Sequence, residues 1–344
     1  MPEYPPKPSP LVRFVQLVLV LAVLMSAGAC QRQSTEWTLG SGPRGGTFEN
    51  FAASLARITN GSLTGSRLVV QPTGGSVANL IRVQQGELDM GLVFSGDAFL
   101  GREGRLERDL APTTDVLALG RLYGATAHLV VLERSTIRSL EDLKDRRVAI
   151  GSTGTGSAQS ARRYFQSLGL WNAIIPVHVG YRLAVEDLRH GNLDAVWMQV
   201  GFPSEYLLWA TRDTRLRFLD LDIEGQPEFR QAFPFYSPVT IPAGTYRRQD
   251  RPVHTFQDAA LWVANAGVES VFLTRSLQAV FSDQGLTKIH KAHSAAWDTS
   301  REKALQGVSI PLHPAAARFW KEQGLPPGAP KGSASAAAMT AGGG

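Results

Sequence analysis

The residues with most chemistry to offer lie between Val148 and Phe165, in VAIGSTGTGSAQSARRYF: an apolar run, a loop of Gly, Ser and Thr, then residues at helical spacing. Gly151, Gly154 and Gly156 allow a tight turn and a close approach of backbone to a ligand. Ser152, Thr153, Thr155 and Ser157 add hydroxyls, and the first turn of the following helix adds N–H groups that no intrahelical carbonyl takes up. That combination suits a small anion. A second copy of the plan runs from Trp37 to Ala56, WTLGSGPRGGTFENFAASLA, with Gly40 in the position of Gly151. Each copy is followed by a similar return from helix to strand. The first, NLIRVQQGELDMGLV, carries Leu80, Gly86, Leu88 and Asp89; the second, VEDLRHGNLDAVWM, carries Leu188, Gly191, Leu193 and Asp194. One glycine loop alone is equally what any strand-to-helix turn needs. Two of them, on similar α/β halves, predict a cleft closed from both sides.

The elements that must hold these loops follow from hydrophobic periodicity. In the first half the pattern predicts strands at Trp37–Leu39, Leu68–Gln71 and Asp89–Phe94 and a helix over Phe48–Ile58. Thr73, Gly74, Gly75 and Ser76 form a further anion-friendly loop at a helix start, with Asn79 in the first turn. Ser95-Gly96-Asp97 reads as a turn, Gly101–Pro112 as a solvated excursion, and Leu117–Leu132 as a strand crossing to the second half. There, helix and strand in SLEDLKDRRVAIG precede the glycine loop. Strands at Pro176–Val179, Asp194–Met198 and Phe218–Leu221 and a helix at Ala184–His190 complete the unit. Ala232–Tyr246, extended and rich in proline and β-branched residues, reads as the return crossing. Beyond it come a strand at Phe256–Val263 and helices at Ser270–Phe281, Lys288–Leu305 and Ala315–Gln323.

A chain of 344 residues, 43 % hydrophobic and 19 % charged, has room for two full cores. The formal net charge of +5 is dispersed, with no basic run or aromatic-interleaved stripe, which argues against nucleic-acid binding. Lys7 and Arg13 precede the apolar run Leu17–Met25, followed by Ser26, Ala27, Gly28, Ala29 and the sole cysteine, Cys30. This is the layout of an export signal, with an uninterrupted apolar run too short to favour a spanning helix. Ala27-Gly28-Ala29 fits ordinary signal cleavage; the same bond precedes Cys30 as in a bacterial lipobox, with Ala27 where leucine is usual. Lipidation of Cys30 would remove the liability of a free thiol in an exported protein. The expected organisation is a signal peptide at 1–29, a tether at 30–36, lobe 1 at 37–125 and 240–325, lobe 2 at 126–239, and a disordered tail at 326–344.

Other chemistries are not supported. GSGPRG at Gly40–Gly45 matches G-x-G-x-x-G, but the next strand ends in Gln71-Pro72 where a dinucleotide site needs an acid. There is no G-K-[ST] loop, nucleophile elbow or paired-cysteine metal pattern. The histidines lack ligand spacing apart from His290 and His293, on an expected surface helix. Glu141-Asp142 and Glu186-Asp187 sit on polar helix faces. No metal, cofactor or catalytic constellation is expected.

From Trp37 to Leu325 the chain resembles the TAXI-family solute receptors of tripartite ATP-independent periplasmic (TRAP) transporters. LGSGPRGGTFENFAASLA, PTGGSVANLIRVQQGELDMGLVFSGDA, SLEDLKDRRVAIGSTGTGS, LRHGNLDAVWMQVGFP, FPFYSPVTIPAGTY and LHPAAARFWKEQGL carry the resemblance, in that order. It implies a two-lobed α/β fold of the type II periplasmic-binding-protein kind, hinged by two crossing strands, and no enzymatic activity. It places Gly45, Gly46, Thr47 and Phe48 on one wall of the ligand site, beside Thr73, Gly74, Gly75, Ser76 and Val77. Thr153, Gly154, Thr155, Gly156 and Ser157 form the opposing wall, joined by Phe202 and by Tyr236 at the hinge. Phe48 stands where a tyrosine is common and lacks its hydroxyl. Arg44, unusual at its position, reads either as a bidentate carboxylate partner or as a solvent-facing loop residue.

The implied function is that of a periplasmic, lipid-anchored and monomeric receptor. It would bind a small organic carboxylate, such as glutamate or a 2-oxo or dicarboxylic acid, and deliver it to TRAP permease subunits. A lipid-anchored ligand sensor for a signalling partner is the alternative, distinguishable by loss of uptake on deletion. An exported enzyme would need a catalytic group among Arg44, His128 and Tyr236.

Overall fold

The computed structural model describes residues 35–106 and 110–325. The expected signal segment, Cys30, most of the tether and the tail 326–344 lie outside the described residues; Thr35 and Glu36 already belong to the first strand. The first half comprises β1 (Thr35–Gly40), α1 (Thr47–Ser62), β2 (Ser66–Gln71), α2 (Ser76–Gln84), β3 (Met90–Phe94) and α3 (Ser95–Arg102). The long strand β4 (Val116–Leu132) leads into β5 (Arg147–Ala149), α4 (Gly156–Ser167), β6 (Ile175–Val177), α5 (Tyr181–His190), β7 (Ala195–Val200), α6 (Glu205–Ala210), β8 (Leu216–Phe218) and α7 (Pro227–Ala232). The chain returns through β9 (Ser237–Ile241) and β10 (Val253–Asn265) to α8 (Ser270–Val280), α9 (Asp283–His290) and α10 (Pro314–Glu322).

The described strands form one curled, mixed sheet in the order β2-β1-β3-β10-β4-β7-β5-β6, with β8 beside β4 and β9 beside β10. Its first four strands mirror its last four. β1 runs parallel to β3 and β5 parallel to β7, while β10 and β4 lie antiparallel at the centre. Helices bury one apolar stripe against it. In α1, Phe48, Phe51, Ala52, Leu55 and Ile58 recur at intervals of three and four residues and join Leu39, Trp262 and Trp320 in one core. Tyr164 and Phe165 of α4 join Trp197, Phe229 and Phe256 in the other, and full burial of each such side chain contributes roughly 1.5–3 kcal/mol.

Three expectations are corrected. The return crossing is β10, not Ala232–Tyr246: β10 pairs with β3 from Ala260 to Ala264 and with β4 from Gln257 to Asn265, whereas β9 is an edge partner of β10 alone among the described strands. Pro234, Pro238 and Pro242 cannot donate to a ladder and suit that edge. Ser95-Gly96-Asp97 opens α3 and is no turn. Gly96 donates its N–H to the Asp258 carboxylate, and a Cβ there would fall 2.4 Å from the Phe235 ring. The single helix expected over Lys288–Leu305 is broken after α9, where a 3-10 turn at Ser294–Asp298 brings the Asp298 carboxylate to the Gly124 N–H (2.8 Å) and to Arg121 of β4.

Candidate functional site

Between the two halves lies a cleft of about 600 Å³, and four helices aim their N-termini at it. Helices α1, α2 and α5 are capped by Gly46, Gly75 and Gly180 with no side-chain hydrogen bond to the cap. Their leading N–H groups therefore have no intrahelical acceptor and carry the positive end of the helix dipole. Helix α4 is capped by Thr155, whose Oγ1 accepts from the Ala158 N–H at 3.3 Å. Gly75 sits at φ 101° and ψ −150°, a region essentially restricted to glycine, and its Cα faces Pro43 and Thr155 across the gap. At Gly156 the need for glycine is one of space: a Cβ would meet Phe94 at 2.2 Å and Asp97 Oδ2 at 2.7 Å.

Of the residues singled out in the sequence, Arg44, Gly45, Gly46, Thr47, Phe48, Gly75, Ser76, Gly151, Ser152, Thr155, Gly156 and Ser157 line this cleft. The others do not. Thr73 turns inward, its hydroxyl donating to the Ser41 carbonyl (3.2 Å) and accepting from the Gly75 N–H (3.1 Å). Gly74 faces Ala78, Val77 is buried, and Thr153 and Gly154 form the exposed tip of their loop. Phe202 packs on the core beneath α5 and α6. Tyr236 is buried away from the cleft, stacked on Phe229 at 5.6 Å and accepting from Arg163 Nη1 at 3.3 Å.

The sequence reading missed the walls contributed by Tyr123, Gly180, Tyr181, Gln199 and the short helix α6 with Glu205, Tyr206 and Trp209. Gly180 gave the same glycine-before-helix signal as Gly46 and Gly75, hidden because the helix was read from Ala184. Tyr123 stacks on Phe51 at 4.6 Å, and Phe48 meets Phe94 edge-on at 5.0 Å. The Tyr206 hydroxyl donates to the Gly45 carbonyl and ties α6 to the first glycine loop. The Gln199 amide donates one N–H to the Ala125 carbonyl and accepts from Ser160 Oγ at 2.6 Å.

Burial, followed by the nearby Tyr181 phenol, pushes Tyr123 well above its ordinary pKa. Burial also raises Tyr181, and it raises Tyr206 to about 12 with Glu205 adding to the effect. All three phenols stay protonated, but the single O–H of Tyr206 is given to the Gly45 carbonyl and that of Tyr181 to the Gln199 carbonyl at 3.1 Å, which leaves Tyr123 to donate to a ligand. Ser157 Oγ is buried beside the Tyr181 phenol but has no hydrogen-bond partner of good geometry. An unpartnered buried hydroxyl is costly unless something accepts its proton.

Residues 39–324 match the profile of the NMT1-like family. The chain belongs to the NMT1-like family. Among solved structures it is similar to the periplasmic aliphatic sulphonate binding protein SsuA from Escherichia coli, at 16 % identity over 85 % of this chain and 84 % of that one, with a TM-score of 0.42. It is similar to a putative L-cystine ABC transporter from Listeria monocytogenes (13 % identity, 78 % and 99 % covered, TM-score 0.47). A TctC solute binding protein from Polaromonas is a third such structure (15 %, 75 % and 88 %, 0.44). In this NMT1-like chain the helix N-termini can neutralise negative charge, the Tyr123 phenol and Ser157 can donate to it, and the aromatic walls can cover an apolar body.

Proposed function

We propose that the protein is an extracytoplasmic solute receptor, of the TAXI kind, that binds a small organic carboxylate in this cleft and hands it to a TRAP-type membrane permease. The carrying observation is the convergence of helix N-termini from both halves of a mirrored sheet on one cleft, with the unpartnered Ser157 hydroxyl at the start of α4. Binding draws the halves together around the anion, and no step of bond making is assigned to the protein. The test compares two glycines of one loop. Gly156→Val, which places a side chain against Phe94 and Asp97, should abolish ligand-induced thermal stabilisation; Gly154→Val, with nothing within 4 Å, should retain it once its own backbone strain is accounted for. A ligand at a hundred times its Kd adds about 2.7 kcal/mol, so the contrast is easily read. Equal binding by both variants would remove the cleft from consideration.

We assign membrane attachment to a lipid on Cys30. Cys30→Ala should release the protein from the membrane fraction, and continued association would place the anchor elsewhere.

A further inference from the structure

The arrangement of charge in the cleft narrows the ligand class. The lining residues that are buried, among them Thr47, Phe48, Ser76, Phe94, Tyr123, Gly156, Ser157 and Gln199, include no charged side chain. The lining charges, Arg44, Arg182 and Glu205, are all exposed at the mouth. Arg182 is already engaged, 3.4 Å from Glu186 and 5.9 Å from the Trp209 ring. The buried guanidiniums of Arg121 and Arg163 are paired with Asp298 and Asp97 outside the cleft lining. One acidic group can be held deep in the cleft without a cation, by the Gly156 and Ser157 N–H groups that open α4, the free Ser157 hydroxyl and the Tyr123 phenol. A second carboxylate on a short chain would instead face Phe48, Phe94 and the neutral Gln199 amide, with no buried cation in the lining to pair with it. Burying it unpaired is heavily disfavoured. Aromatic faces on both walls and a volume of about 600 Å³ fit a bulkier apolar body, since pockets of roughly 300–1,000 Å³ enclose ligands larger than a four- or five-carbon diacid.

We infer, on the basis of the receptor reading, that the cargo is a monoanion with one acidic headgroup on an aromatic or branched apolar body, its headgroup seated at Ser157. The full chain, purified in mild detergent and stripped of carried-over ligand by unfolding and refolding, is titrated calorimetrically. The probes are phenylacetate, 4-methylvalerate, succinate and glutamate. Phenylacetate or 4-methylvalerate should bind at least about tenfold more tightly than succinate or glutamate, and Ser157→Ala should weaken the preferred probe about tenfold. Tighter binding of succinate or glutamate overturns this inference and leaves the receptor reading standing. No heat from any probe, in protein that still melts cooperatively, overturns both. Should Ser157→Ala fail to fold, the ranking of the four probes on the unaltered chain decides alone.

Discussion

In the first half of the sheet the Asp89 carboxylate accepts from the Thr38 N–H at 2.7 Å and from its hydroxyl at 2.8 Å, pinning β1 to β3. In the second half Asp194 accepts from the Arg147 N–H at 2.8 Å and from Nε at 3.1 Å, pinning β5 to β7. The same device thus sits at the same place in two copies of one plan. What the copies bury is different. The first carries Asn79, wholly enclosed, where the second has Ala184 at the corresponding distance before Asp194. Its glycine loop is tied to itself by Glu49, which accepts from the Gly45 N–H at 2.6 Å, whereas the second loop leaves Ser157 free. Repetition supplies the frame, and ligand chemistry lives in the departures from it.

The largest effect is expected where the halves meet. Arg163 of α4 and Asp97 of α3 form a buried ion pair at 2.6 Å, and removing one partner leaves the other charge stranded. Arg163→Met should lower the unfolding free energy by about 3–5 kcal/mol in urea titration. Arg147→Met removes a guanidinium from an exposed pair within the second half and should leave the midpoint nearly unchanged. Similar losses in both variants would break the distinction between a joint and a surface contact.

A second effect depends on pH and belongs to the crossing strand. His128 of β4 is buried, its Nδ1 within 2.9 Å of the Thr126 carbonyl and its Nε2 within 2.9 Å of the Tyr246 hydroxyl, which in turn accepts from the Ser204 N–H at 2.9 Å. With Nδ1 donating to Thr126, Nε2 accepts from Tyr246. Burial lowers its pKa to about 4, against about 6.5 in the unfolded chain. As pH falls through 6.5 the unfolded chain takes up a proton that the folded one refuses. The contribution of neutral His128 is therefore full above about 6.5 and is lost towards 4, a loss of about 3 kcal/mol. Unfolding free energies at pH 7 and 4.5 should converge for His128→Gln relative to the unaltered chain; parallel slopes would mean that the histidine titrates normally.

Much of this frame was legible because repetition leaves marks that do not depend on tertiary context: a glycine loop, a helix, then a glycine and Leu-x-Asp before a strand. The return crossing was not, because β-branched residues and prolines score alike in an edge strand and a crossing. Only the continuous apolar run AALWVA, Ala259–Ala264, buried on both faces, marks β10 as central. At the site, glycine loops announced the anion-facing half, whereas Tyr123, Tyr181 and Tyr206 come from a strand and two helices whose approach is a tertiary fact. Tyr236 shows the converse, an aromatic that the sequence suggests for the hinge but that packs in the core on Phe229 and beside Arg163.

The smallest of these effects tests whether the first half's enclosed amide is part of the frame or an ornament on it. Asn79 Nδ2 lies 3.2 Å from the Gly40 carbonyl and 2.7 Å from those of Ser41 and Leu92, joining the end of β1, the first glycine loop and β3 from within α2. Asn79→Ala should cost about 2 kcal/mol, the scale of buried acceptors left without a donor. Asn79→Asp keeps the shape, loses the N–H donors and brings a carboxylate against three carbonyls, so it should cost more than alanine. If aspartate were tolerated better than alanine, filled volume would matter more than the bonds. The first half would then differ from the second in packing alone, since Ala184 shows that a small apolar residue serves at this place in the repeat.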